Sequence, residues 1–160
     1  MFAVTLICVG KLKEKFYLAA SEEYAKRLRG YVDFTLIELP ETRLPDDPSP
    51  AQIAQGLAKE AELIRARIPK GAWFCVLTPE GTELSSEQLA KKLEAVKLSG
   101  RGAVCFLIGS SYGIAPEVKK LADFRLSFGP MTFPHHLMRV MALEQLYRAQ
   151  NILAGTKYHK

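Results

Sequence analysis

The segment Ile108-Gly109-Ser110-Ser111-Tyr112-Gly113 has the residue types of a ligand-binding turn. It follows an apolar stretch of strand length and precedes a helix that should start at Pro116. Glycine lets backbone amides approach a ligand closely, and α/β folds bind ligands at the carboxyl ends of parallel strands. The dinucleotide fingerprint does not fit, because a third glycine and an acidic residue about 20 positions later are missing. The loop therefore indicates a binding site of another kind.

A second candidate binding segment covers residues 126–135. A short strand, residues 124–128, should run into a Gly-Pro turn and then into the last helix. Met131 and Phe133 offer apolar surface, while Thr132 adds a hydroxyl beside free backbone amides. This combination suits a flat heteroaromatic ring better than a phosphate. A simple strand–helix connection would have the same composition.

The glycine loop also matches the glycine-x-serine-x-glycine elbow of serine hydrolases, with Ser111 as nucleophile and Asp123 and three histidines downstream. Two features argue against that alternative. Only 49 residues follow Ser111, too few for the strands that carry the acid and the histidine. The elbow also needs its helix to begin at the nucleophile, whereas Pro116 places the helix start later.

Strand and helix signals alternate along the chain. Short apolar or β-branched stretches of strand length occupy residues 4–9, 32–37, 73–77 and 103–108. Apolar residues recur at helical spacing over 17–28, 53–68 and 89–96, the last after a cap at Ser85 or Ser86. This order predicts an α/β fold with a mostly parallel sheet flanked by helices, in a single domain spanning residues 1–160. The proline-rich residues 40–50 should form a surface loop, as a lid or a rim.

The last helix should start near Pro134 and end before Gly155. Its apolar residues go nearly all the way round: Leu137, Met138, Val140, Met141, Leu143, Leu146, Tyr147, Ile152 and Leu153. A helix that only covers a sheet shows a single apolar stripe. A helix packed between the sheet and a second subunit would be apolar on two sides, so the pattern favours a homodimer over simple burial.

Composition narrows the class of protein. The chain has 160 residues, 48% of them hydrophobic, without an apolar stretch of the roughly 18 residues that a membrane span needs. Its first residues lack the features of a signal peptide. Cys8, Cys75 and Cys105 lie in apolar stretches at spacings unlike those of zinc ligands, as expected of buried thiols in a reducing compartment. These features predict a cytoplasmic protein without membrane attachment or bound metal.

Positive charge is concentrated in the last third. Residues 1–107 carry fifteen Lys/Arg and fourteen Asp/Glu, a balance of +1, whereas residues 108–160 carry seven and three, a balance of +4. A positive patch attracts polyanions whatever their sequence. The charge count alone is equally compatible with a chance cluster of surface lysines.

Five motifs together resemble the ribosomal RNA large-subunit methyltransferase H family. They are Val9-Gly10-Lys11-Leu12-Lys13, the loop at Ile108-Gly109, residues 126–135, Glu144-Gln145-Leu146-Tyr147-Arg148-Ala149 and Tyr158-His159-Lys160. The resemblance covers essentially the whole chain, in matching order. It implies a SPOUT-type domain with a C-terminal trefoil knot, acting as a homodimer. It also implies methylation, with S-adenosylmethionine as cofactor, of N3 of a pseudouridine in helix 69 of 23S rRNA within the ribosome.

The resemblance further implies which residues contact the cofactor. They are Leu77, Gly109, Phe128, Gly129, Pro130, Met131, Thr132 and Phe133. Ser110 departs from the family pattern, which usually has a second glycine there. We expect the serine to be tolerated unless this position needs a positive φ angle.

The catalytic candidates are His159, Tyr158 and Arg148. Histidine ionises near neutral pH and could serve as a base, while tyrosine could stack on a nucleobase. Arg148 could hold the base or a phosphate, or could merely pair with Glu144 one helical turn away. Tyr158 and His159 lie close to the chain end, where disorder is the default, so their roles depend on the resemblance.

Two further residues have competing interpretations. His135, at the start of the last helix, is expected to act as a cap or a loop-packing residue rather than as a catalyst. Arg139 is expected to be either a phosphate contact or a surface charge. A non-catalytic ribosome-binding or assembly factor with the same fold remains the alternative function, favoured by Ser110 and opposed by the intact segment from Phe128 to Phe133.

Overall fold

The computed structural model describes residues 1–160 and contains one five-stranded sheet. The strands are β1 (Ala3–Val9), β2 (Asp33–Leu39), β3 (Trp73–Glu83), β4 (Ala103–Ile108) and β5 (Phe124–Ser127). They are all parallel, in the order β2-β1-β4-β3-β5. The carboxyl ends of the strands therefore lie along one edge of the sheet, which we call the carboxyl edge.

Five helices cover the two faces of the sheet. They are α1 (Lys15–Leu28), α2 (Pro50–Arg65), α3 (Ser86–Leu98), α4 (Pro116–Leu121) and α5 (His135–Ala154). Helices α1, α3 and α5 pack on one face, and α2 and α4 on the other. Leu6 and Cys8 of β1 enter the first core, and Ile7 and Val9 enter the second. Both faces of the strand are buried, which explains its continuous apolar sequence and confirms the predicted fold class.

Local signals account for most helix boundaries. The Ser85 hydroxyl accepts a hydrogen bond from the Gln88 amide at 3.1 Å, and the Gln88 side chain accepts one from the Ser85 amide at 2.8 Å. This capping box decides between the two predicted caps in favour of Ser85. Helix α5 ends at Ala154, before Gly155, as predicted. None of the helices combines the length and apolar character needed to cross a membrane.

Strand β3 is longer than the sequence predicted. Leu77 pairs with Leu126 of β5, and Thr82 pairs with the same Leu126, so the four residues between them leave the ladder before pairing resumes. The predicted strand, residues 73–77, is only its first part. The interruption arises because Pro79 and Gly81 suit a turn better than a continuous strand. The trefoil knot implied by the resemblance stays a prediction.

Candidate active site

A cavity of about 310 Å³ opens at the carboxyl edge, where β3, β4 and the loop after β5 meet. Seven of the eight residues predicted to contact the cofactor line it: Leu77, Gly109, Phe128, Gly129, Met131, Thr132 and Phe133. Pro130 is not among the lining residues. Three segments that are far apart in sequence thus meet around one space, because parallel strands deliver their ends to the same edge.

Position 109 needs a glycine because the backbone at Gly113 and the side chain of Ile114 lie directly against it. A Cβ at this position would overlap the Gly113 carbonyl oxygen and would lie 2.6 Å from the Ile114 side chain. The loop closes with a hydrogen bond of 2.9 Å from the Gly113 amide to the Ser110 carbonyl. Backbone packed against backbone leaves no room for a side chain.

Ser110 is tolerated for a different reason. Its φ angle is not positive, so a serine can occupy the position without strain. Its hydroxyl donates to Glu60 Oε1 at 2.8 Å, and Oε2 of the same buried carboxylate accepts from the Thr42 amide at 2.9 Å. Ser110, which replaces the glycine usual in the family, therefore connects the cavity loop through Glu60 to α2 and to the loop after β2.

The positions of Ser111 and Asp123 argue against the serine hydrolase alternative. The Ser111 hydroxyl donates to Glu41 Oε1 at 2.6 Å. Asp123 Oδ2 accepts from the Phe74 amide at 2.8 Å and from Arg101 at 3.0 Å. Neither residue is arranged as part of a catalytic triad, which needs the serine bonded to a histidine and the histidine to the acid.

Ser127 connects two walls of the cavity; it lies in the predicted binding segment 126–135, but the sequence analysis gave it no role. Its hydroxyl donates to the Pro79 carbonyl oxygen at 2.9 Å and accepts from the Gly129 amide at 3.1 Å. The side chain is buried, so both bonds are shielded from water. They hold the interruption of β3 against the loop that follows β5.

The C-terminal tail folds back on α5 around the carboxylate of Glu144. Oε1 of Glu144 accepts from Arg148 Nε at 2.9 Å and from the Tyr158 hydroxyl at 3.0 Å. The Arg148 guanidinium lies 4.7 Å from the centre of the Tyr158 ring. His159 approaches Arg148 through Nδ1 at 3.2 Å and Glu87 of α3 through Nε2 at 2.6 Å. Arg148 therefore makes both the pair with Glu144 and the contact with the tail.

Contacts within this tail cluster, which consists of Glu87, Glu144, Arg148, Tyr158 and His159, shift the pKa values of three of its members. The hydrogen bond from His159 holds the pKa of the Glu87 carboxyl at about 2, well below its ordinary value. The hydrogen bond to Glu144 raises the pKa of Arg148. Burial, followed by the hydrogen bond to Glu144, raises the pKa of Tyr158, so its phenol remains a donor at neutral pH.

A groove of about 570 Å³ lies next to the cavity and shares part of its wall. Leu126, Phe128 and Gly129 line both spaces, and Glu144 lines the groove. The two groups of predicted site residues therefore lie on either side of the loop that begins at Phe128.

Both interpretations of Arg139 are wrong. Its side chain is 3% exposed, and it donates to Glu38 at 2.6 Å and to the Gly10 carbonyl oxygen at 3.0 Å. Arg139 therefore connects α5, inside the protein, to the ends of β1 and β2. His135 does pack in a loop region, stacked on His136 at 4.1 Å, but it also lines the cavity. Burial, and then the neighbouring His136, lower the pKa of His135.

The predicted positive patch is only partly right. Three of its seven basic residues are engaged in ion pairs: Lys119 with Glu80, Arg139 with Glu38 and Arg148 with Glu144. Two of these acidic partners come from earlier in the chain, which a count of charges by segment cannot reveal.

No group of three or more His, Cys, Asp or Glu side chains is placed to hold a metal ion.

The wall also contains residues that were not predicted, among them the polar residues Thr78, Glu80 and Lys119. The first two lie in the turn-like Thr-Pro-Glu-Gly sequence directly after a predicted strand, a signal that could have marked them as part of the carboxyl edge. Lys119 lies within α4 and carries no local signal, so only the fold identifies it.

A family model described as "Predicted SPOUT methyltransferase" matches residues 2–159, and the chain belongs to this family. It is 45% identical over 160 residues, which are all of both chains, to the ribosomal RNA large subunit methyltransferase H of Moorella thermoacetica. It is 43% identical over 157 residues to that of Alkaliphilus oremlandii, covering 98% of this chain and 99% of the relative. Within the SPOUT methyltransferases, the particular family is therefore that of ribosomal RNA large subunit methyltransferase H, as the five motifs predicted.

A solved structure supports the same fold. A methyltransferase from Legionella pneumophila, whose structure contains the bound cofactor S-adenosylmethionine, has a TM-score of 0.51 and 14% identity. The likeness covers 92% of this chain and 66% of that chain. At this level of identity it shows a shared fold.

Proposed function

We propose that this protein transfers a methyl group from S-adenosylmethionine to N3 of a pseudouridine in helix 69 of 23S rRNA, acting as a homodimer in the cytoplasm. The observation that carries the proposal is the cavity at the carboxyl edge, which is lined by seven of the eight residues predicted to contact the cofactor. Relatives that align over the full length, named as ribosomal RNA methyltransferases, support the choice of RNA as substrate.

The cavity fits the proposed cofactor by volume and by chemistry. Small-molecule sites commonly occupy about 300–1,000 Å³ and combine apolar walls with a few polar groups. Leu77, Phe128 and Phe133 would pack against the adenine ring, and backbone amides of the loops at Gly109 and Gly129 would supply hydrogen bonds. These are the residues that would hold S-adenosylmethionine, which when bound supplies an electrophilic methyl group for in-line displacement.

The chain itself must position the pseudouridine and remove the N3 proton. Arginine only donates hydrogen bonds, so the His159 Nδ1 that faces Arg148 is an acceptor, and Nε2 carries the proton donated to Glu87. Nδ1 can accept the N3 proton once Arg148 turns from His159 toward the RNA. Arg148 would then balance the negative charge on the base, while Tyr158 stacks against it.

The direct test uses ribosomes that lack this methyl group. Incubation with the protein and S-adenosylmethionine should add one methyl group to the pseudouridine in helix 69, located by mass analysis of nuclease fragments of the rRNA. A methyl group on another nucleotide would contradict the assigned target. Ribosome binding without methylation, together with no calorimetric binding of S-adenosylmethionine at millimolar concentration, would instead identify the non-catalytic assembly factor.

A further inference from the structure

Residues 78–81 form a protrusion of β3 into the cavity wall, which we call the β3 protrusion. It leaves the ladder after Leu77 and rejoins it at Thr82. A Cβ at Gly81 would lie 2.6 Å from the Arg125 carbonyl oxygen, so the return of the chain to β5 needs glycine. The hydrogen bond from Ser127 to the Pro79 carbonyl fixes the other side. Glu80, between these two anchors, is thereby held at the cavity.

Glu80 forms an ion pair with Lys119 of α4, and both residues line the cavity. The hydrogen bond from Lys119, followed by those from Thr78 and from its own backbone amide, lowers the pKa of the Glu80 carboxyl to about 2. The carboxylate is therefore charged at any physiological pH. The Glu80 side chain is 51% exposed and that of Lys119 24%, so both charges are accessible to a ligand.

The rest of the wall offers no comparable charge. Its remaining side chains are apolar or neutral, apart from His135, whose pKa is lowered by burial. The eight residues predicted to contact the cofactor likewise carry no charged side chain. They suit an adenosine group, but the cofactor also ends in a zwitterionic amino acid, with an ammonium and a carboxylate on one carbon atom.

We propose that Glu80 and Lys119 bind the amino-acid end of the cofactor, with the Glu80 carboxylate facing the α-ammonium and the Lys119 ammonium facing the α-carboxylate. The inference rests on the proposed cofactor. Its physical basis is complementarity: a neighbouring anion and cation on the wall match a ligand group that carries the same two charges. Exposed ion pairs are weak, so the pair can exchange its mutual bond for bonds to the ligand at little cost.

The test compares two ligands by isothermal titration calorimetry on the full chain. S-adenosylhomocysteine has the amino-acid end, and 5′-methylthioadenosine has the same nucleoside without it. Glu80→Gln and Lys119→Gln should each weaken S-adenosylhomocysteine binding by about tenfold, the size expected when a hydrogen bond to a charged group is removed. Affinity for methylthioadenosine should stay within about twofold. Glu117→Gln and Lys120→Gln, on the same helix but not on the cavity wall, are matched controls and should change neither affinity.

Other outcomes overturn the inference in distinguishable ways. An equal loss for both ligands would mean that the pair contacts the nucleoside or only supports the wall. No loss for either ligand would place the pair outside the site. If the unmodified protein binds S-adenosylhomocysteine, the proposed cofactor stands whatever the variants do. If it binds neither ligand, the proposed cofactor fails and this inference fails with it.

Discussion

At the scale of single residues, Gly109 and Ser110 are neighbours in one loop but should respond differently to substitution. Gly109→Ala forces a Cβ into the space of the Gly113 carbonyl oxygen, so the loop must open. We expect a loss of about 1–3 kcal/mol in unfolding free energy, as for other overpacked sites, together with loss of cofactor affinity. Urea denaturation and calorimetry measure the two effects.

Ser110→Ala is the matched comparison for Gly109→Ala, because the loop backbone can keep its conformation in the Ser110 variant. It leaves Glu60 Oε1 without its buried donor and should cost about 1–3 kcal/mol of stability. Cofactor affinity should be retained, since no positive φ angle is at stake. A Gly109→Ala variant that binds the cofactor like the unmodified protein would refute the assigned role of the loop.

The tail residues should separate catalysis from cofactor binding. His159→Ala removes the proposed proton acceptor, and Tyr158→Phe removes the hydroxyl that donates to Glu144 at 3.0 Å. General-base catalysis is worth about 10²–10⁴-fold, so the first change should slow methyl transfer by at least about 100-fold. Single-turnover rates measure this effect. Calorimetry should show unchanged cofactor affinity, and a loss of affinity in either variant would show that the tail contacts the cofactor.

At the scale of elements, α5 has two faces with different roles. The buried face includes Ala142, Leu143 and Leu146, which pack on the sheet. A second stripe at helical spacing contains Leu137, Val140 and Met141, which are only partly buried, and continues through Glu144 and Arg148. Apolar residues that neither enter the core nor turn fully to water are typical of an interface. The stripe supports the proposed homodimer, whose interface would then lie beside the tail cluster.

Breaking this stripe should therefore give a folded monomer with impaired activity. Leu137→Asp puts an unpaired charge on the second face of α5, away from the main core and from the walls of the cavity and the groove. We expect light scattering at micromolar concentration to change from dimer to monomer, and methylation to fall while the circular dichroism spectrum is retained. The control is Leu98→Asp at the end of α3, where a large apolar side chain is 80% exposed. A monomeric unmodified protein would remove the homodimer from the proposal.

At the scale of the whole molecule, the charge available to RNA differs from the count along the sequence. Three basic residues of the last third are engaged in ion pairs. The parallel sheet brings an early segment to the same edge instead: Lys11 and Lys13 are exposed after β1 and flank the buried Leu12. Gly10, just before them, packs against the ring of His135 on the cavity wall. The positive surface near the site is therefore assembled from both ends of the chain.

Neutralising this early segment should weaken RNA binding and leave the cofactor site intact. Lys11→Gln with Lys13→Gln should raise the KM for ribosomes. It should also reduce the slope of log affinity against log salt by about one for each phosphate that no longer meets a lysine. Lys70→Gln with Lys97→Gln, exposed toward the opposite edge of the sheet, is the control. Equal effects of the two double variants would mean that overall charge, rather than this segment, attracts the RNA.

The sequence by itself determined the fold class, the family and most of the helix and strand boundaries. These depend on local signals, such as apolar strands, the capping box at Ser85 and the glycine after α5, and on motifs that can be recognised in order. It also identified the loops that line the cavity, because ligand sites of parallel sheets follow the strand ends.

Only the tertiary structure decided which charges meet. It paired Arg139 with Glu38, which is 101 positions away, and joined Ser110 to Glu60, which is 50 positions away. It also paired Lys119 with Glu80. It also brought the β3 protrusion into the cavity. Such contacts depend on strand order and on how each helix lies across the sheet, and no local pattern in the sequence encodes these. The physical reason is that a side chain's charge is visible in the sequence, while its partner is set by the packing of the whole chain.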